Sequence, residues 1–317
     1  MQHDEETGLP VRAALHPTGL YVALRPIDRA QLQDAFMQET VARVQAPERV
    51  VQIPRELIGR PPRGTAPAGI VFHVARCGST LISQSLKRLD DVVVYAEPQP
   101  VNELLAPPHR WSASDVAAAL NSLGAIFSRH ARGPYILKLS SWNTLYCDVV
   151  AAAFPQTPWI LSVRDPVEVG VSLLASPPGW FSAGNDTGRG LTARVDPHGT
   201  STSREELVAK VYGAFCNAAS RLDARRGRIV PYEALPSAIC DMVAPHFSLP
   251  VSDRQRDQIA AAARGHAKAA VGKTSAFVSD VAAKQQSASA ALRRAVDSFA
   301  RPELDRLMQL HAATIAR

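Results

Sequence analysis

Residues 70 to 86 constrain the fold more than any other stretch of this 317-residue chain. Five apolar-leaning residues, Ile70 to Val74, have the length and composition of a buried strand. A tight turn follows, and Ser79 and Thr80 then begin a segment whose apolar residues recur at helical spacing. The free N–H groups of a first helical turn and the helix dipole both favour an anion at such a junction. The stretch therefore predicts a phosphate-binding loop, with a positive charge from Arg76 in the turn.

The loop differs from the two common nucleotide-binding motifs. It lacks the lysine of a Walker A loop, and Gly78 is its only glycine, whereas the dinucleotide fingerprint needs three. The G-K-T string at 272–274 has Ala267 at the position of the first Walker glycine and follows no apolar strand. A Walker-type loop is therefore not predicted at either place.

Predicted strands and helices alternate through the middle of the chain, and most of the strands are apolar throughout. This order is typical of a parallel sheet that helices cover on both faces. We predict an α/β fold of three layers, with about five parallel strands and a helical C-terminal part. The strands are predicted at 70–74, 92–95, 135–139, 159–163 and 228–230.

Residues 1–66 are predicted to be an N-terminal accessory segment, and residues 67–317 the main domain. A Pro- and Gly-containing linker at 61–69 joins the two. Within the accessory segment, Asp28 is placed to cap a helix whose apolar residues from 32 to 44 share one face. A short edge strand is predicted at 50–53.

Residues 176–202 are rich in Gly, Ser, Thr, Pro and Asp and show no sustained period. A structureless segment of this length inside a domain is usually functional or disordered, so we predict a lid or acceptor loop. Ser203 and Glu206 have capping-box spacing for a helix that reaches about Arg226. Further helices are predicted at 143–154, 166–175, 236–244, 253–264 and from 287 onward, with a break before Pro302.

Composition excludes several classes of function. The net charge of +6 suits an anionic ligand, but no basic run interleaved with aromatic residues predicts nucleic-acid binding. The four cysteines lie far apart, which fits reduced thiols in a cytoplasmic protein, and no histidine spacing predicts a metal site. The acidic N-terminus has no signal-peptide pattern, and no apolar run approaches membrane-spanning length.

Charged residues follow four of the predicted strands, namely Arg76, Glu97, Lys138 and Arg164. In an open parallel sheet, ligands bind beyond the carboxyl ends of the strands. Three cations and one carboxylate in a single crevice suit a polyanionic substrate together with one general base. Any one of these residues alone is as often a solvated loop residue or half of an ion pair. The agreement of all four with one rule favours a functional site.

The order of these residues along the chain resembles the motif order of the sulfotransferases that use 3′-phosphoadenosine 5′-phosphosulfate (PAPS). The order is R-x-G-[ST]-T-L, a glutamate about twenty residues later, a lysine, and V-R-D-P with a serine eight residues after its arginine. The pattern is most similar to protein-tyrosine sulfotransferases and related bacterial sequences, and residues 232–235 match the family's Y-E-x-L element. The resemblance covers residues 70 to 240 and implies a fold like that of P-loop NTPases.

The resemblance also implies how the donor is bound. The loop would hold the 5′-phosphosulfate, while Arg164 and Ser172 would bind the 3′-phosphate and Tyr232 would lie against the adenine. Near the C-terminus, Lys273 is predicted to reach the cofactor, with Lys268 and Lys284 as alternatives. The loop residues concerned are Arg76, Cys77, Gly78, Ser79 and Thr80.

Three residues would be catalytic by the same resemblance. Glu97 would be the general base, Lys138 would stabilise charge on the bridging oxygen, and Arg76 would lie nearest the transferred sulfuryl group. Residues 139–141 stand where cytosolic small-molecule sulfotransferases carry a catalytic histidine, which favours Glu97 as the base. The transfer would need no metal, and the nucleotide product would be adenosine 3′,5′-bisphosphate.

Two other functions stay open from the sequence. A P-loop kinase would need Mg²⁺ and a Walker lysine, and the lysine is missing. A non-catalytic nucleotide-binding protein of the same fold would not need the charged set intact. The acceptor is left open among a tyrosine side chain, a carbohydrate, a lipid head group and a small phenol or alcohol. Whether the protein is a homodimer is open as well.

Overall fold

The computed structural model describes residues 8–62, 66–107, 110–181, 186–263 and 280–315. Two sheets lie within these ranges. The strands are β1 (Leu9–His16), β2 (Gly19–Arg25), β3 (Arg49–Pro54), β4 (Gly69–His73), β5 (Val93–Ala96), β6 (Tyr135–Lys138), β7 (Trp159–Val163) and β8 (Gly227–Pro231).

Helices flank both sheets. In chain order they are α1 (Met37–Arg43), α2 (Ser79–Leu86), α3 (Gln99–Leu105), α4 (Ala113–Ala131), α5 (Cys147–Ala153), α6 (Pro166–Ala175), α7 (Asp186–Val195), α8 (Arg204–Ala219), α9 (Ala244–His246), α10 (Asp253–Ala262), α11 (Val281–Ser287), α12 (Ala290–Ala295) and α13 (Arg301–Ile315). Short 3₁₀ segments lie at 29–31, 55–57, 141–146, 179–181, 224–226 and 232–234, and π-helical turns at 239–243 and 296–300. Within the described ranges no helix is both long and apolar enough to cross a bilayer.

The larger sheet has five parallel strands in the order β5-β6-β4-β7-β8, which confirms the predicted fold class. Strand β4 lies in the middle, and all five of its residues are buried. Its side chains alternate between two apolar clusters, with Ile70 and Phe72 in one and Val71 in the other. Helices α4, α5, α6 and α8 contribute to the first cluster, and α2, α9 and α10 to the second. Both faces of the sheet are therefore covered.

Strands β1, β2 and β3 form an antiparallel sheet at the N-terminus. Its buried side chains belong to the same cluster as one face of the parallel sheet. Polar contacts join the two parts, since the Trp111 indole donates to Leu15 O at 3.2 Å and His130 Nε2 lies 2.8 Å from Ile27 O. The division of the chain at residue 66 stays a prediction, and residues 63–65 of the predicted linker lie outside the described residues.

The N-terminal segment differs from its prediction in two ways. β3 confirms the edge strand, but β1 and β2 were not predicted. Pro10 and two alanines weaken the strand pattern of β1, whereas β2 is a short apolar run without proline. The single helix after Asp28 is wrong, since a 3₁₀ turn at 29–31 and α1 are separate. The backbone carbonyl of Asp34 accepts from Gln84 of α2 and from Lys87, the residue that follows α2, so tertiary contacts hold the intervening chain out of helical conformation.

The described parts of the segment, residues 176–181 and 186–202, are not structureless, which corrects the prediction. They contain the 3₁₀ turn at 179–181 and α7, whose Leu191 is buried. The two glycines of α7 lower its helix propensity, so the sequence did not predict it. Gly190 packs against Pro107, because a Cβ at residue 190 would lie 2.6 Å from Pro107 Cγ. Whether the segment acts as a lid stays a prediction.

Helix boundaries nearer the C-terminus also needed correction. Ser203 Oγ accepts from Glu206 N at 3.2 Å, but the Glu206 carboxylate accepts from Thr202 N, so the capping box is incomplete. Helix α8 ends at Ala219 rather than near residue 226. The predicted break before Pro302 is a π-helical turn that joins α12 to α13, a wider turn that tolerates the missing proline N–H.

Candidate active site

The loop between β4 and α2 has an unusual backbone. Ala75 and Arg76 have φ values of 65° and 51°, and Gly78, directly before α2, has a φ of 82°. Left-handed residues turn successive N–H groups toward one side, which makes a concave site for an anion. The φ of Gly78 favours glycine, and a Cβ there would also lie 2.7 Å from Leu235 Cδ1 and 3.0 Å from Tyr232 Cδ2, so these side chains would have to shift.

The first residues of α2 add hydroxyl donors to this loop. Ser79 and Thr80 are buried, and neither hydroxyl has a hydrogen-bond partner among the residues that the structure describes. Cys77 contributes through its backbone, because its side chain is fully buried and its carbonyl accepts from Ser162 Oγ at 2.9 Å. Burial also raises the pKa of the Cys77 thiol, which argues against a nucleophilic role.

Arg76 points from the loop toward the segment that follows α6. Its Nη2 donates to the backbone carbonyl of Ser176 at 2.8 Å, and Ser176 Oγ lies at 3.3 Å. The side chain is partly exposed. Arg76 therefore links the loop to the first residue of the predicted lid.

Glu97 and Lys138 form an ion pair at the ends of neighbouring strands. Ala96 is opposite Lys138 in the β5–β6 register, and Glu97 N donates to Lys138 O at 2.6 Å. The Lys138 ammonium donates to the Glu97 carboxylate, and Ser140 Oγ lies 3.4 Å from its other oxygen. The Lys138 side chain is 1% exposed and that of Glu97 29%, so only the carboxylate is open to a ligand.

Two side chains that the motifs do not include lie beside this pair. His73 Nε2 is 3.9 Å from Glu97 Oε1, and it is hydrogen-bonded to Leu139 O at 2.9 Å while Nδ1 accepts from Ala75 N at 3.2 Å. This network fits a neutral ring with its proton on Nε2. On the other side, the Phe36 ring lies 5.4 Å from Lys138 Nζ, so the N-terminal segment reaches the pair.

Arg164 is the centre of a second cluster. Its side chain is 4% exposed, with Nε 2.6 Å from Glu168 Oε2 and Nη2 2.6 Å from Asp280 Oδ1. Its guanidinium carbon lies 4.1 Å from the centre of the Tyr232 ring, and Nη1 is 3.4 Å from Arg76 O. Arg164 therefore touches both the loop backbone and the predicted adenine-binding residue.

Ser172 lies on α6 one turn after Glu168, whose carboxylate belongs to this cluster. Its hydroxyl donates to Glu168 O at 2.9 Å, whereas the Glu168 carboxylate holds Arg164. Asp165 caps α6 by accepting from Val167 N at 2.9 Å, which orients the helix that carries both residues. Ser172 therefore lies on α6, whereas Arg164 precedes the helix, and the described residues show no hydrogen bond between the two.

The C-terminal lysine predictions have different outcomes. Lys273 and its alternative Lys268 lie outside the described residues. Lys284 lies next to the cluster, with Nζ 2.6 Å from Asp280 Oδ2. Burial raises the pKa of the Asp280 carboxyl, but hydrogen bonds from Lys284 and Arg164 lower it by more, so its pKa is below the ordinary value.

Sequence reasoning missed three members of these clusters. Glu168 had a signal, because a carboxylate four residues after Arg164 on a predicted helix is placed to pair with it. Asp280 is 116 residues from Arg164, and Phe36 precedes the parallel sheet. No pattern in the sequence therefore linked either residue to the site. Within the described residues, no group of three or more His, Cys, Asp or Glu residues is placed to hold a metal ion.

No protein-family model matches the chain, and a search of curated proteins finds no match. Among solved structures, it is similar to a sulfotransferase domain from the olefin synthase of Synechococcus PCC 7002, with 15% identity, 76% of this chain and 98% of that chain covered, and a TM-score of 0.47. A sulfotransferase from Alicyclobacillus acidocaldarius has 16% identity, coverage of 78% and 96%, and a TM-score of 0.45. The mouse sulfotransferase SULT7A1, complexed with PAP, has 10% identity, coverage of 83% and 93%, and a TM-score of 0.45. All three of these similar structures are sulfotransferases.

Proposed function

We propose that this chain is a PAPS-dependent sulfotransferase that transfers a sulfuryl group to a hydroxyl or amine acceptor. One observation carries the proposal. Four charged residues of the sulfotransferase-like motifs lie at or just after the carboxyl ends of four adjacent strands, β5, β6, β4 and β7. Open parallel sheets bind ligands at this edge. The four residues are Glu97, Lys138, Arg76 and Arg164.

The residues at this edge fit the donor. The left-handed loop and the N-terminus of α2 would hold the 5′-phosphosulfate, with Ser79 and Thr80 as hydroxyl donors. Arg164, together with Ser172 of α6 and a C-terminal lysine, would bind the 3′-phosphate. Tyr232 lies on the Arg164 guanidinium and beside Gly78, and would face the adenine. When bound, PAPS supplies the sulfuryl group.

The chain's own residues would handle the proton and the charge. Glu97 is the partly exposed carboxylate of the ion pair and would accept the proton from the acceptor hydroxyl. A positioned base contributes on the order of 10²–10⁴-fold to the rate. Lys138 holds the Glu97 carboxylate in place and would stabilise negative charge that develops beside it, as fixed charges do in shielded sites. This chemistry needs no metal.

The proposed function also concerns the acceptor, other partners and the location of the protein. The acceptor is a small molecule, a carbohydrate or a peptide tyrosine, and nucleic acid is not a partner. We infer a cytoplasmic protein from the separated, unpaired cysteines, all four of which are buried.

The test is calorimetric titration with adenosine 3′,5′-bisphosphate, with and without Mg²⁺, beside ATP. We expect binding of the bisphosphate without Mg²⁺, and loss of that binding in Arg164→Ala. Arg225→Ala is the matched control, because Arg225 is 82% exposed and pairs only with nearby Asp223 in the described structure. Since Arg164 is buried, Arg164→Lys serves as a second variant, and circular dichroism checks that each protein folds.

Two results would overturn the proposal. Tighter binding of ATP that depends on Mg²⁺ would favour a P-loop kinase. Binding of neither nucleotide by the folded wild type would favour a protein that kept the fold for another purpose. If the bisphosphate binds, sulfuryl transfer from PAPS to a panel of phenols, sugars and tyrosine peptides identifies the acceptor class.

A further inference from the structure

The Asp280 carboxylate occupies the place where Arg164 would bind an anion. One of its oxygens is 2.6 Å from Arg164 Nη2, and the other is 2.6 Å from Lys284 Nζ. Two oxygens of one anionic group thus bridge two cations. A phosphate monoester offers the same arrangement with a greater charge.

The charges of this cluster are balanced in the absence of a nucleotide. Arg164 and Lys284 supply two positive charges, and Glu168 and Asp280 supply two negative ones. A phosphate that joined the cluster while both carboxylates stayed would give it a net negative charge in a largely buried place. Like charges that are close and poorly solvated repel strongly, so one carboxylate must leave.

Asp280 is the carboxylate that is free to leave. The side chain of Glu168 is 4% exposed, and it is held by Arg164 Nε and by Gln285 Nε2 at 3.2 Å. The side chain of Asp280 is 47% exposed. Moving Asp280 into water costs no burial of charge, whereas moving Glu168 would break a buried pair.

We propose that the Asp280 carboxylate is an internal competitor that holds the anion position on Arg164 until a nucleotide phosphate displaces it. The displacing phosphate takes over the Nη2 of Arg164 and the ammonium of Lys284, while Glu168 stays on Nε. This inference rests on the proposed function, because it assigns that phosphate to the 3′ position of an adenosine bisphosphate. A nucleotide without a 3′-phosphate leaves Asp280 in place and gains nothing from either cation.

A purely structural ion pair is the alternative, in which Asp280 simply fastens the start of α11 to α6. The two explanations predict opposite effects of removing the Asp280 charge. A competitor that is removed makes the bisphosphate bind more tightly. A structural pair that is removed leaves the binding site less ordered, so the bisphosphate binds equally well or more weakly.

The experiment is calorimetric titration of wild type, Asp280→Asn and Asp280→Glu with adenosine 3′,5′-bisphosphate and with adenosine 5′-monophosphate at one fixed salt concentration. We expect Asp280→Asn to bind the bisphosphate on the order of tenfold more tightly, the effect of one competing ion pair. The monophosphate should bind both proteins equally, and Asp280→Glu should behave like the wild type because the competing charge is kept. Asp241→Asn is the matched control, since Asp241 is 59% exposed and pairs with Arg256 at 2.5 Å.

A further variant tests the second cation. Lys284→Gln should weaken bisphosphate binding, and in Lys284→Gln with Asp280→Asn the tenfold gain should be smaller. Equal or weaker bisphosphate binding by folded Asp280→Asn would overturn the inference, as would an equal gain for both nucleotides. If no variant and no wild type binds the bisphosphate, the proposed function itself fails. Wild-type binding that Asp280→Asn leaves unchanged overturns only the role of Asp280.

Discussion

The Lys138 ammonium donates to the Glu97 carboxylate across the ends of two neighbouring strands, and the lysine is the buried partner. A buried charge without a counter-charge is costly, so Glu97 compensates Lys138, while the Glu97 side chain itself stays 29% exposed. Its φ of 54° is unusual for a residue other than glycine. Such strain is held by surrounding structure and is found most often at functional sites.

A double-mutant cycle tests whether this pair acts as one unit. We expect Glu97→Gln and Lys138→Met each to reduce acceptor turnover by roughly 10²-fold or more, since both the base and its fixed charge partner are lost. The double variant should lose much less than the product of the two, because the residues share one interaction. The readout is the sulfuryl-transfer rate, with Glu56→Gln, an exposed glutamate, as the control. If the loss of rate in the double variant equals the product of the two single losses, the two residues do not act as one unit.

Gly78→Ala should damage both folding and nucleotide binding. The left-handed φ of 82° alone costs an alanine about 1–2 kcal/mol, and the new Cβ would also meet Leu235 at 2.7 Å. Gly199→Ala separates the two effects, because Gly199 has a φ of 60° but nothing within 4 Å of its Cβ position. We expect Gly78→Ala to lower the free energy of unfolding more than Gly199→Ala, and only Gly78→Ala to weaken bisphosphate binding. Equal effects of the two variants would disprove the close approach.

Phe36→Ala should change the use of the acceptor without changing the use of the donor. The Phe36 ring lies 5.4 Å from Lys138 Nζ, beside the carboxylate that would receive the acceptor's proton. We therefore expect a severalfold higher KM for a simple phenol, and an unchanged affinity for adenosine 3′,5′-bisphosphate. Leu57→Ala is the control, because Leu57 belongs to the same N-terminal segment and is 53% exposed. A change in nucleotide affinity instead would place Phe36 on the donor side.

His130 should make the free energy of unfolding depend on pH. Burial lowers the pKa of His130, while its hydrogen bond to Ile27 opposes that shift. The unfolded chain therefore takes up a proton near its ordinary pKa of about 6.5, and the folded protein does so only at lower pH. The contribution of the neutral His130 ring to the free energy of unfolding is fully present above a pH of about 6.5. It is lost as the pH falls from there through the lower pKa of the folded protein.

Denaturant unfolding at pH 7.5 and 5.5 measures this dependence. The wild type should lose stability at the lower pH, and His130→Gln should lose less, because one titrating group has been removed. His198→Gln, at an exposed position, should keep the wild-type difference. An unchanged pH difference in His130→Gln would show that other groups carry the effect.

The parallel sheet could be predicted because each of its strands is a short apolar run that ends at charged or turn-forming residues. The antiparallel sheet was not predicted, since Pro10 and two alanines weaken the strand pattern of β1, and the apolar run of β2 does not by itself show which strands it pairs with. Both strands gain their stability from packing on the core. Helix α7 was missed for the same reason, because contacts with the rest of the chain outweigh its two glycines.

The site was predicted in part. Residues at or within three positions of a strand end, such as Arg76 and Glu97, are placed by the sheet itself, so their order along the chain was enough to group them. The sequence by itself therefore determined the α/β class, the turn between β4 and α2, and the edge of the sheet where charged residues collect. Only the tertiary structure decided which charges meet, because the pairing of Arg164 with Asp280 and the approach of Phe36 to Lys138 join segments far apart in the chain. Local patterns record the period of a strand or helix, whereas contacts between distant segments depend on how the whole core packs.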